Sequence, residues 1–166
     1  MTTKQIANRT GIPTETCCNI VAKLADKSLI ICLNTSARNS RLYWLTEQGK
    51  VCQAKLRKEL GLPATDYDLP NIDWSLYGWV CYSHRTAVIK SLNYPMQPAE
   101  LKRFMRIHKP AIKISANNIR DVMRLFLKKG LVRKVFFRKK AHPRYELTEL
   151  ASQFRTLLMR TKTTSS

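Results

Sequence analysis

The chain has 166 residues, 44% of them hydrophobic, and a formal net charge of +19 at pH 7. That apolar content is typical of a folded protein and excludes general disorder. No apolar run approaches the roughly 20 residues of a membrane span, and the N-terminal stretch MTTKQIANR lacks the apolar core of a signal peptide. We therefore expect no membrane contact and a cytoplasmic, nucleoid-associated location, or a nuclear one in a eukaryotic host.

The positive charge is concentrated in the later part of the chain. Residues 1–73 contain 10 basic and 7 acidic side chains, whereas residues 74–166 contain 20 basic and 4 acidic ones. Because so many cations repel one another, they predict a polyanionic partner, and we expect double-stranded DNA. The alternative is a generally basic or ribosome-associated protein.

Residues 1–60 predict a first domain of three helices and one β-hairpin. Lys4–Arg9 forms a short helix, and a second helix has inward apolar residues at helical spacing, namely Cys17, Ile20, Val21 and Leu24. Leu29–Leu33 and Arg41–Leu45 are two strands joined by a polar turn. Thr46 then caps a long helix that reaches about Leu60.

Residues 61–73 are a linker with two prolines and three aspartates, and residues 74–160 form a second, strongly basic domain. An aromatic cluster opens this domain on a helix, and packing is favoured over base stacking for its members, Trp74, Tyr77, Trp79 and Tyr82. A helix from Pro98 to about Ile107 follows, and Ser115 caps the next helix, whose apolar stripe is Ile119, Met123, Phe126 and Leu127. Residues 161–166 are expected to be disordered.

The two domains repeat each other at an offset of 102 residues. Lys27–Ile30 aligns with Lys129–Val132, and Leu42–Glu47 aligns with Arg144–Glu149. The second domain therefore ends as the first does, with a strand, a basic hairpin, a returning strand and a capped helix. This order predicts a mainly α fold with small β-hairpin wings (an α+β fold), built as two winged helix-turn-helix domains in tandem.

These segments resemble the winged-helix transcriptional regulators of the bacterial and archaeal MarR and ArsR type. The segments that carry the resemblance are TKQIANRTGIP, CCNIVAKLADKSLI and SRLYWLTEQGK in the first domain, and SHRTAVIKSL, NNIRDVMRLFLKKGLV and PRYELTELA in the second. The chain departs from the pattern twice, because the first domain lacks the usual first helix and the second has extra residues, Lys109–Lys113, in its turn. Without that helix, the first domain has an apolar face that must pack against something else. The candidates are its own long third helix, the aromatic segment Trp74–Tyr82, or a second subunit. A homodimer is favoured.

The resemblance implies that the recognition helices enter the major groove of DNA and that the wings contact the backbone. The outward recognition-helix positions are Thr14, Thr16, Cys18, Asn19 and Lys23 in the first domain, and Asn117, Asn118, Arg120, Asp121 and Arg124 in the second. Arginine can read guanine and asparagine can read adenine. The wing residues are Arg38, Asn39 and Arg41 in the first domain, and Arg138, Lys139, Lys140, His142 and Arg144 in the second. Solvated polar faces are the alternative reading of both sets.

The sequence contains no phosphate loop, nucleophile elbow or paired-carboxylate motif, so we expect no catalytic residues, cofactor or metal. The five cysteines form no CxxC pair and are expected to be free thiols. The favoured function is a sequence-specific transcriptional regulator. The alternatives are a replication initiator or DNA-architectural protein, and a winged-helix protein-interaction subunit of a larger transcription complex.

Overall fold

The computed structural model describes residues 1–65, 69–137 and 142–160. In this part the chain is mainly helical, with two small antiparallel hairpins, and this coarse prediction is confirmed. Two compact units divide between Trp79 and Val80, whereas the sequence placed the start of the second domain at Trp74. The difference arises because Gly78 lies against the side chain of Asn34 in the first unit.

The first unit contains α1 (Thr3–Thr10), α2 (Thr14–Asp26), β1 (Ile30–Cys32), β2 (Tyr43–Leu45), α3 (Glu47–Glu59) and most of α4 (Trp74–Val80). The sequence predicts Thr3 as the cap of a helix that starts at Lys4, but α1 starts at Thr3 and Thr2 caps it: the Thr2 hydroxyl accepts a hydrogen bond from the Gln5 N–H. In α2, Cys17 and Val21 are buried as predicted, but Ile20 is 41% exposed and its predicted inward position is wrong. Its counterpart in the second unit at the offset of 102 residues, Val122, is buried.

The second unit contains α5 (Ser83–Ser91), α6 (Pro98–His108), α7 (Ala116–Lys128), β3 (Val132–Val135), β4 (Arg144–Leu147) and α8 (Glu149–Arg160). Helix α5 lies at its centre and packs on α6, α7 and α8. The buried stripe of α7 is Ile119, Val122, Met123 and Phe126, whereas Leu127, which the sequence placed inward, is 37% exposed. The core of this unit is therefore closed by its own helices.

The sequence repeat is also a repeat of hydrogen bonds. The Thr46 hydroxyl donates to the Ser28 carbonyl at 2.7 Å, and the Thr148 hydroxyl donates to the Gly130 carbonyl at 2.7 Å, each pair offset by 102 residues. Ser28 and Gly130 both have positive φ, at 55° and 67°. The Thr46 oxygen also accepts the Gly49 N–H at 3.0 Å, which confirms its role as an N-cap.

A further backbone pairing occurs next to each hairpin. Thr2 forms an isolated antiparallel bridge with Leu42, and Met96 forms one with Tyr145. In each unit a residue just before the first helix of the pair (α1–α2 or α6–α7) is thereby tied to the returning strand or to the residue that precedes that strand. The helix pair and the hairpin are consequently fixed relative to each other within each unit.

Candidate nucleic-acid interface

Helix α7 presents a polar face over its first two turns because Ile119, Val122 and Met123 turn inward. Its N-cap, Ser115, accepts a hydrogen bond from the Asn118 N–H at 3.0 Å. With the stripe around Ile119 and Met123 buried, every predicted recognition residue of this helix lies exposed: Asn117, Asn118, Arg120, Asp121 and Arg124. The helix can therefore offer these side chains to a partner without unfolding.

Two shallow grooves meet at Arg120. The first, of about 380 Å³, lies between α6 and the start of α7 and is bordered by the cations Lys102, Arg103, Arg106 and Arg120. The second, of about 290 Å³, continues past Arg120 to Arg124 and to His142 on the hairpin. None of the residues that line either groove is acidic. Helix α6, helix α7 and the hairpin therefore form one electropositive surface.

The arginines of α7 are held only weakly in the free protein. Arg120 Nη1 donates to Asn117 Oδ1 at 3.2 Å, and Arg124 lies 3.5 Å from the Asp121 carboxylate. The side chains of Arg124 and Asp121 are 79% and 63% exposed. Because such surface pairs contribute less than about 1 kcal/mol, a phosphate or a base edge can replace them at little cost.

Among the predicted wing residues that the structure describes, Arg144 is the one whose guanidinium contacts several protein groups. Its Nη2 lies 2.7 Å from Glu100 Oε1, and its Nη1 donates to the Pro95 carbonyl at 3.1 Å. The guanidinium carbon also lies 5.5 Å from the centre of the Phe137 ring. This geometry makes Arg144 a positioning residue that fastens the hairpin to α6.

The sequence predicts a strand over Leu131–Phe137, which includes two aromatic residues and gives them no role in the site. Strand β3 ends at Val135, so Phe136 and Phe137 follow it instead of belonging to it, and their side chains are 61% and 66% exposed. The signal that could have found them is the pair of large apolar residues directly before a run of cations. Of the other predicted wing residues, His142 is exposed, while Arg138, Lys139 and Lys140 lie outside the described residues.

The first unit presents its predicted residues on a less basic surface. Thr14, Thr16, Cys18, Asn19 and Lys23 are all exposed on α2, and so are Arg38, Asn39 and Arg41 beside the first hairpin. The connection between β1 and β2 is held by the buried side chain of Asn34. Its Oδ1 accepts a hydrogen bond from the Leu42 N–H at 2.7 Å, and its Nδ2 donates one to the Ser40 carbonyl at 3.2 Å.

The pKa of one arginine outside the two grooves, Arg85, is shifted. Partial burial lowers the pKa of the Arg85 guanidinium from its ordinary value, and the neighbouring Tyr82 phenol opposes that shift.

In the described part of the chain no group of three His, Cys, Asp or Glu side chains is placed to hold a metal ion. All five cysteines are free thiols. Each helix of the described ranges is too short or too polar to cross a bilayer.

Comparisons with protein-family models, with curated proteins and with solved structures give no match to this chain.

Proposed function

We propose that this protein is a DNA-binding protein with two winged helix-turn-helix units, and that it acts as a sequence-specific transcriptional regulator. In this proposal α7 enters the major groove, while α6 and the second hairpin flank it along the phosphates. The first unit adds α2 and its hairpin connection as a second, less basic contact. The predicted homodimer stays a prediction.

The observation that carries the proposal is the position of Arg120, which lines both grooves of the second unit. A side chain at this position can reach a base edge while the cations of α6 on one side and His142 on the other face phosphates. The absence of acidic side chains from both linings favours a polyanion over a neutral ligand. The exposed Phe136 and Phe137 extend the same surface with apolar groups, which can contact sugars or unstacked bases.

The test is selection of bound sequences from a random duplex pool at about 150 mM salt, where non-specific affinity is already much reduced. An enriched motif is expected, and its loss in an Arg120→Ala variant would link the motif to α7. Retained binding with no enrichment in the wild-type chain would contradict the regulator proposal. That result would favour the architectural or replication alternative, in which bending or repeated sites dominate.

The protein-interaction alternative is favoured by a separate observation. The first unit contains an apolar groove of about 820 Å³ that none of the recognition or wing residues lines. Exposed apolar surface of this kind commonly marks an interaction site and is not required for contact with DNA. Both activities can belong to one chain because they use different surfaces.

A further inference from the structure

Asp121 is the only acidic residue of helix α7, and it lies on the side that points away from the core. The buried residues Ile119 and Met123 are each two positions away from it along the helix. Because successive residues of an α-helix turn by about 100°, Asp121 lies almost opposite both of them. Its side chain is 63% exposed. Asp121 is therefore near the middle of the outward face of α7.

A carboxylate at this position restricts how the helix can meet DNA. The cations of the electropositive surface border the two grooves, and Asp121 lines neither groove. Beside a phosphate, a carboxylate is repelled and lowers the affinity for every sequence. It is favourable only where the duplex offers a hydrogen-bond donor, and such donors are on base edges. If α7 enters the major groove as proposed, the outward position of Asp121 brings the carboxylate to those edges.

The protein leaves this carboxylate available for such a contact. Its ion-pair partner is Arg124, at 3.5 Å, and the Arg124 side chain is 79% exposed. A pair so open to solvent contributes little to stability, so both side chains can exchange it for contacts with DNA. Arg124 also lines the second groove. An acceptor and a donor therefore lie side by side on the surface of α7.

The chemistry of a carboxylate favours one base. Cytosine presents a donor in the major groove, its N4 amino group, without an adjacent acceptor. Guanine presents two acceptors there, and thymine presents an acceptor and a methyl group, so both disfavour a carboxylate. Adenine has its N7 acceptor beside its N6 donor, a pattern that suits an amide better. The guanidinium of Arg124 suits the guanine acceptors, so a C·G pair complements Asp121 and Arg124 together.

We propose that Asp121 is a specificity-determining residue, which accepts a hydrogen bond from N4 of a cytosine in the target duplex and excludes guanine and thymine from that position. This role rests on the DNA-binding proposal and names a base that the second unit selects. The negative charge also lowers the affinity for other sequences. Discrimination then comes from repulsion as well as from the hydrogen bond.

The first experiment compares the sequences that three proteins select from a random duplex pool: the wild type, Asp121→Asn and Glu149→Gln. Glu149→Gln is the matched control, since it removes one negative charge from an exposed position that lines neither groove. We expect a C·G position in the wild-type motif. Asp121→Asn should change that position to adenine or to no preference and keep the rest, because an amide pairs with adenine. Glu149→Gln should select the wild-type motif.

The second experiment removes the donor from the DNA instead of the acceptor from the protein. N4-methylcytosine still pairs with guanine, but its methyl group replaces the N4 hydrogen that faces the major groove. The wild type should bind the selected duplex at least about tenfold more weakly when its cytosine carries this methyl group. Asp121→Ala, which has no acceptor, should bind the two duplexes equally. Fluorescence anisotropy measures the affinities, and far-ultraviolet circular dichroism verifies that the variants are folded.

Three results would overturn this role of Asp121 while leaving DNA binding intact. The first is a wild-type motif that Asp121→Asn leaves unchanged. The second is an equal loss from N4-methylcytosine in the wild type and in Asp121→Ala. The third is a change at other positions of the motif alone, since Asp121 would then act only by holding Arg124. If the wild type enriches no motif, the regulator proposal itself fails, and the role of Asp121 fails with it.

Discussion

Arg144 and Glu100 join the second hairpin to helix α6 through an ion pair whose Nη2 and Oε1 atoms are 2.7 Å apart. The other carboxylate oxygen of Glu100 accepts the Gln97 N–H at 2.9 Å, as part of a capping box. One acidic side chain thus secures both the start of α6 and the base of the hairpin. Because the hairpin and α6 both border the electropositive surface, this pair fixes the geometry of the candidate interface.

Glu100→Gln should lower the free energy of unfolding of the second unit by about 1 kcal/mol, because a charge-assisted hydrogen bond becomes a neutral one. This corresponds to a decrease in Tm of several degrees. Glu146→Gln is the control, since it breaks a pair with Arg133, whose side chain is 72% exposed. Equal decreases in the two variants by differential scanning calorimetry would argue against a special role for Glu100.

Arg120→Ala should weaken binding to a preferred duplex by about 1–3 kcal/mol while changing the affinity for random duplex much less. The reason is that Arg120 lies where the two grooves meet, at the outward face of α7. Lys128→Ala, at the other end of the same helix and outside both grooves, is the control for lost charge. Titrations at several salt concentrations measure both affinity and slope. Parallel losses for both variants on both duplexes would contradict base reading by Arg120.

Phe136→Ala should reduce affinity for DNA several-fold without changing the unfolding midpoint, because the ring is exposed and stabilises the fold little. The effect should be larger on a duplex with an unpaired stretch, where bases are accessible for stacking. Tyr94→Ala, which removes another exposed aromatic ring of the same unit, is the control. If Phe136→Ala and Tyr94→Ala bind both substrates like the wild type, the exposed ring has no part in nucleic-acid contact.

Gly49→Ala should destabilise the first unit by about 2 kcal/mol or more, because the new Cβ would collide with the Leu29 carbonyl oxygen. The equivalent residue in the second unit, Ala151, already has a Cβ and is fully buried. Amide hydrogen exchange can follow each unit separately and should show faster exchange in α3 alone. Unchanged protection in α3 would mean that the backbone relaxes at no cost.

The sequence predicted the parts of the fold that depend on local chemistry. Thr46 and Ser115 were expected to cap helices because their hydroxyls can accept N–H groups of the first turn, and both do. The burial of Met123 and Phe126 followed from helical spacing. Ile20 has the same spacing but is exposed, whereas its counterpart Val122 is buried, because burial also depends on which elements pack against the helix.

The candidate interface was predicted only in part for the same reason. The outward position of Arg120 follows from the periodicity of α7, but its place between two grooves depends on α6 and the hairpin. The attachment of Arg144 to Glu100 joins residues 44 positions apart, and no sequence pattern indicated it. In the sequence, Arg144 could not be distinguished from the other basic residues of the second wing, because its positive charge was the only feature visible there.

The two units have hydrophobic cores of unequal size, and this difference affects how readily each unit is degraded in a cell. Among the described residues, six apolar side chains are buried in the first unit and seventeen in the second. A protein partner bound in the apolar groove of the first unit at 100 times its dissociation constant would add about 2.7 kcal/mol to the stability of that unit. Proteolysis of that unit would then slow as the supply of its partner rises, so the abundance of one protein would follow that of the other.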